Sequence, residues 1–170
     1  MNKKGVVLVG LFITMLMLLS VSSALAQTSA DQKDWGILVA KVVMGFSLSL
    51  GLAGSAVGLS ISFSALLGGG TENFFKNIPV ALMPSTQGIY SIVVLFANLG
   101  GITTDPYTVA GRAGAFGVAM FLSAWYQGVV CAAGIRSILE GKNTLANAMV
   151  SGAMPETYAV FSLVMTFIIR

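Results

Sequence analysis

This sequence predicts an all-α membrane protein, with four transmembrane helices arranged as two tandem helical hairpins. The chain of 170 residues is 56% hydrophobic and 9% charged. A soluble domain carries about 25% charged residues, so this chain has too few polar groups to cover its surface in water. Four long apolar runs alternate with short polar turns. The stretch 83–93 also recurs at 154–164, and an internal repeat implies a duplicated unit.

Composition removes several functions at once. There is no His, and the net charge of +3 is small and scattered, which argues against nucleic acid as a partner. The single Cys131 lies in an apolar run, so neither a disulfide framework nor a cysteine metal site is supported. Gly68, Gly69 and Gly70 have no Gly-Lys-Ser/Thr after them, and no strand is expected before them, so they do not form a phosphate-binding loop. The length leaves no room for a soluble catalytic domain.

Residues 1–26 read as a cleaved signal peptide. Lys3 and Lys4 precede an apolar run, and Ala24, Leu25 and Ala26 fit the small-x-small cleavage pattern. The competing reading is an uncleaved extra helix. The first hairpin is expected over 27–100. Its first span, 35–67, carries Lys41 near its start, where a long side chain can snorkel to the interface. The span is also rich in Gly and Ser, which permit close helix contact in membranes. It is too long for one bilayer crossing, so part of it should project. A polar turn at 68–77 leads to a second span at 78–99. The second hairpin is expected over 101–170. It begins with the turn 100–106, where Asp105-Pro106 is a strong breaker. The third span follows at 109–139, a short turn at 140–143, and the fourth span at 146–169.

The turns also suggest an orientation. Lys76 lies in the first turn, Arg136 and Lys142 flank the third, and Asp105 is the only charge in the second. The positive-inside tendency puts the first and third turns in the cytoplasm, with the mature termini outside. Each hairpin turn then faces the same side, so the repeats are parallel.

Glu156 is the only acidic residue inside a long apolar run of the mature chain. Such residues are expensive and mark ion or proton paths. The repeat places Ser85 at the equivalent position in the first hairpin, which leaves one carboxylate per two hairpins. A bare carboxylate in hydrocarbon takes up a proton, or it is held ionised by a small cation among oxygen ligands. Thr86, Gln87 and Tyr90 on the second span and Gln127 on the third are the polar residues within reach. Oxygen donors suit a hard cation rather than a soft transition metal. Pro84 removes an N–H and should free a carbonyl one turn earlier. Each of these residues also has a plainer role. Gln127 could hydrogen-bond across helices, Thr86 could bond back to its own helix, Tyr90 could pack, and Pro84 could kink. A stand-alone small cation transporter is a rival of a different class, although the tandem repeat with one carboxylate speaks against it.

The motifs Leu82-Met83-Pro84-Ser85-Thr86-Gln87-Gly88-Ile89-Tyr90, Gln127-Gly128 with Ala132-Ala133-Gly134, and Glu156-Thr157-Tyr158-Ala159 resemble the proteolipid c (K) subunit of V-type and archaeal-type rotary ATPases. The resemblance covers residues 35–170 and is strongest to the sodium-translocating branch. It implies a cation, Na+ or Li+ in its place, held by Glu156, Gln127, Gln87, Thr86 and the main-chain carbonyl of Met83. Tyr90 would hydrogen-bond the carboxylate and lock the site. The same ring carrying H+ is the alternative. Ser85, where the family has Gly, and Pro155 depart from the pattern, and the signal-like start is an extension. The family further implies a homo-oligomeric ring in lipid, with the first and third helices lining its inside. A membrane stator subunit with a buried Arg would displace the ion. Central-stalk subunits would touch the turns around Lys76 and Lys142. ATP chemistry would occur in other subunits, so this one is not an enzyme. The implied location is multi-pass, in a prokaryotic plasma membrane.

Overall fold

The computed structural model describes residues 35–169. The signal-peptide reading of 1–26 lies outside the described residues. Helix α1 spans Trp35–Leu67, α2 Gly70–Leu82, α3 Thr86–Asn98, α4 Gly101–Thr104, α5 Pro106–Leu139 and α6 Leu145–Ile168. A 3-10 turn, Met83–Ser85, joins α2 to α3. No strand occurs among the described residues.

Among the described residues, three rods are long and apolar enough to cross a membrane: 35–67, 70–98 and 106–139, with mean hydropathies of 1.9, 1.6 and 1.6. The expectation of four such spans is therefore met only in part. Helix α6 has 24 residues, which is long enough to cross, but it is not among the three. Pro155, Glu156 and Thr157 lie in its middle and lower its apolar character.

The turns differ from expectation in extent. The polar stretch expected at 68–77 is mostly helical. Only Gly68 and Gly69 break the chain, and Gly70 re-enters helix at φ +73°, a conformation open to glycine at little steric cost. Helical periodicity then turns Glu72 and Lys76 outward and buries Asn77. At the second break Asp105 caps α5, its carboxylate accepting from the Thr108 N–H at 3.3 Å, with Pro106 in the first helical turn. Gly141, at φ +70°, ends α5. The Gly141 N–H donates to the Ile138 carbonyl and the Lys142 N–H to the Ser137 carbonyl, each at 3.0 Å. These paired bonds close the helix C-terminus in a Schellman motif.

Helices α1 and α5 touch backbone to backbone. A β-carbon at Gly54 would lie 2.7 Å from the Phe121 Cα, and one at Gly117 would lie 2.6 Å from the Ser47 Cα. Gly58 faces both Ala124 and Pro84, and Gly128 faces Gly58. Small residues allow this approach, and dispersion over the contact then holds the helices together in lipid. Apolar clusters close the two ends. Ala40, Met44, Val109 and Ala113 lie at one end, and Leu66, Val80, Cys131, Ile135 and Ala148 at the other. The rods therefore alternate in direction.

Arg112 is a charge that the turn count omitted. Its Nη1 donates to the carbonyls of Thr166 at 3.3 Å and Ile169 at 3.1 Å. A cation at a helix C-terminus is favourable, so α5 fastens the end of α6. Arg112 also sits at the same end as Asp105, which reduces the charge bias behind the orientation.

Candidate cation site

Between the two apolar ends lies a polar layer built from three helices. Glu156 falls at the middle of α6. At 1.5 Å per residue that places it about 17 Å from either end of the helix. Gln87 from α3 and Gln127 from α5 are both 0% exposed. Glu156, Thr86 and Tyr90 are half-buried.

The structure brings the expected residues into one network. The Tyr90 hydroxyl donates to Glu156 Oε1 at 2.9 Å. Gln127 Nε2 donates to Glu156 Oε2 at 3.2 Å and to the Gly152 carbonyl at 3.0 Å. Gln87 Nε2 donates to Gln127 Oε1 at 2.6 Å. The Thr86 hydroxyl lies 3.3 Å from Gln87 Oε1 and 3.2 Å from the Met83 carbonyl. Six groups named from the sequence thus form one chain of contacts, from the Met83 carbonyl to Tyr90. Thr86 bonds back to its own helix and also touches Gln87, so its plain reading and its ligand reading describe the same hydroxyl.

Pro84 acts differently from expectation. The carbonyl it should free, that of Val80, accepts the Met83 N–H. The chain tightens into a 3-10 turn, and the Thr86 N–H then bonds the Met83 carbonyl. A proline that breaks an i to i−4 bond is accommodated this way because the i to i−3 bond needs no N–H from the proline. The Met83 carbonyl therefore faces the Thr86 hydroxyl while it serves its own turn.

Two further groups in the layer escape a reading of the sequence. Ser123 Oγ donates to the Pro155 carbonyl at 2.7 Å and accepts from Gln87 Nε2 at 3.3 Å. The Gly152 carbonyl holds Gln127. Ser123 lies four residues before Gln127, and that spacing, which puts the two on one helix face, is the signal the sequence offers. Among the described residues no three His, Cys, Asp or Glu side chains converge. An ion here would meet one carboxylate and neutral oxygens, a donor set that fits a hard monovalent cation.

A multi-pass helical membrane proteolipid, with one half-buried carboxylate set among buried amides, is the class that this fold and site define. Residues 111–169 match the family model for the C subunit of ATP synthase. The A-type ATP synthase subunit K of Methanocaldococcus jannaschii is 33% identical over 130 residues, which are 72% of this chain and 59% of that relative. The V-type sodium ATPase subunit K of Enterococcus hirae is 28% identical over 145 residues, 81% of this chain and 93% of that relative. The chain is similar to the C subunit of ATP synthase over its C-terminal part and, over most of its length, to the K subunits of an A-type and a V-type ATPase. It spans less than two thirds of the archaeal relative's own length.

Proposed function

We propose that this protein is a non-catalytic rotor-ring subunit of a V/A-type rotary ATPase that carries sodium on Glu156. The observation that carries the reading is the direct contact of one mid-membrane carboxylate with Gln127, itself bonded to Gln87. The similarity of the chain to a sodium ATPase subunit supports the choice of ion.

In this reading each copy contributes two hairpins, 27–100 and 101–170, and four crossings, with α6 spanning despite its polar centre. Copies close into a ring with α1 and α5 on its inner wall and the α2–α3 rod and α6 outside. A stator Arg displaces the cation from Glu156, and the turns at Lys76 and Lys142 meet the central stalk. The ring sits in a prokaryotic plasma membrane with its termini outside.

Proton carriage is the second reading, and one observation favours it. Gln127 presents its amide nitrogen to Glu156, and its oxygen is engaged by Gln87. Sodium coordination requires that amide to turn. Labelling of Glu156 by a hydrophobic carbodiimide, which attacks only the protonated acid, separates the two. Under the sodium reading, sodium at fixed pH protects Glu156. Labelling that follows pH and ignores sodium assigns the ring to protons.

Tyr90→Phe tests the lock. It removes the bond to Glu156 Oε1, a bond to a charged group worth about 1.5 kcal/mol in a half-exposed setting. The sodium concentration for half-protection should rise about tenfold, read from the same labelling assay.

A further inference from the structure

We infer that Ser123 is a positioning residue for sodium binding: its hydroxyl fixes which edge of the Gln87 amide faces the ion. The inference rests on the sodium reading of the Glu156 site.

Gln87 is fully buried, so both of its N–H groups need partners. One goes to Gln127 Oε1 and the other to Ser123 Oγ. With both hydrogens committed on that side, Gln87 Oε1 is turned to the opposite side, where Thr86 Oγ1 lies 3.3 Å away. This is the side on which the Met83 carbonyl also stands. An amide reversed about its terminal bond would present two N–H donors there and repel a cation.

Gln127 cannot hold Gln87 alone. Its own oxygen must be released from Gln87 if it turns toward an ion bound at Glu156. Ser123 is not asked to move. Its hydroxyl hydrogen is given to the Pro155 carbonyl at 2.7 Å, so toward Gln87 it offers only lone pairs. That polarity accepts an N–H and disfavours a carbonyl oxygen. The serine thereby ties the backbone immediately before Glu156 to the orientation of a ligand on α3.

Space around Ser123 allows a clean test. The residue lines an apolar groove of about 450 Å³ with Ala119, Leu122, Tyr126, Pro155 and Tyr158. An added methyl group therefore has room. Ser123→Thr and Ser123→Val are nearly equal in shape and differ in the hydroxyl.

The experiment measures sodium protection of Glu156 against carbodiimide in assembled rings of the wild type and the Ala, Val and Thr variants at position 123. We expect Ser123→Ala and Ser123→Val to raise the half-protecting sodium concentration about tenfold and Ser123→Thr to restore the wild-type value. Equal protection in the Val and Thr variants overturns the assignment, as does an Ala variant that matches wild type. If the Ala variant fails to assemble, the Val and Thr comparison still decides; if Val or Thr fails, the comparison of Ala with wild type does. A wild type that sodium never protects removes the sodium reading itself, an outcome separate from these.

Discussion

Glu156→Gln should abolish carbodiimide labelling and sodium binding while rings still assemble. The substitution keeps the shape and an oxygen acceptor for Tyr90, whose hydroxyl lies 2.9 Å from Glu156 Oε1. It removes the one formal charge in the layer. At about 4 Å and an effective dielectric of about 20, a unit charge pair is worth about 4 kcal/mol, or roughly a thousandfold in affinity. Among the described residues no other acid lies near the layer to replace it, since Glu72, Asp105 and Glu140 sit at the helix ends or in the turns. Sodium-dependent stabilisation of the ring against heat gives an independent readout. The wild type should gain stability as sodium rises, and Glu156→Gln should not. A variant that still gains stability with sodium would place the ion elsewhere.

Gly128→Val carries the second large effect, on the protein rather than on the ion. A β-carbon at Gly128 would lie 2.8 Å from the Gly58 carbonyl carbon, well inside contact distance. Backbone cannot rotate away as a side chain can, so α1 and α5 must separate. Overpacking of this kind costs about 3 kcal/mol. Gln127 is the adjacent residue, so the displacement also pulls its amide from Glu156 and from the Gly152 carbonyl. We expect little assembled protein in detergent and a lowered thermal midpoint in whatever assembles. Gly111→Val is the control. Beyond its chain neighbours and its own helix backbone, no atom of the chain lies within 4 Å of its added β-carbon, so that variant should keep the packing of α1 on α5 and the thermal midpoint.

Much of the molecule is legible in the sequence because its strongest signals are local or periodic. Apolar runs fix where helices form, since a backbone in lipid must satisfy its own hydrogen bonds. Asp105-Pro106 and Gly141 end their helices through short-range geometry. Glu156 stands out because a carboxylate in an apolar run is expensive anywhere. The glutamines follow as the amides within reach of it. Ser123 is not legible, since a serine in a helix can bond its own turn. Ser49, Ser60 and Ser64 do so here. Asn77 falls in a stretch that reads as a polar turn, and the structure buries it at 0% exposure.

The sequence by itself determined that the chain is helical, where Asp105-Pro106 breaks it, and the carboxylate with its candidate partners, while the extent of the first turn came only from the structure. The tertiary structure alone decided which edge of each amide faces Glu156, that Pro84 tightens its turn instead of freeing a carbonyl, and that Ser123 joins α5 to Pro155 and Gln87. The reason is the scale of the contacts. Hydrogen bonds between helices depend on rotation and register to within a fraction of an ångström, and both are set by close glycine contacts, of α1 with α5 and with α3, and of Gly152 on α6 with Cys131 and Met83. No local pattern along the chain encodes those contacts, because they form between residues far apart in the sequence, such as Gly58 and Gly128.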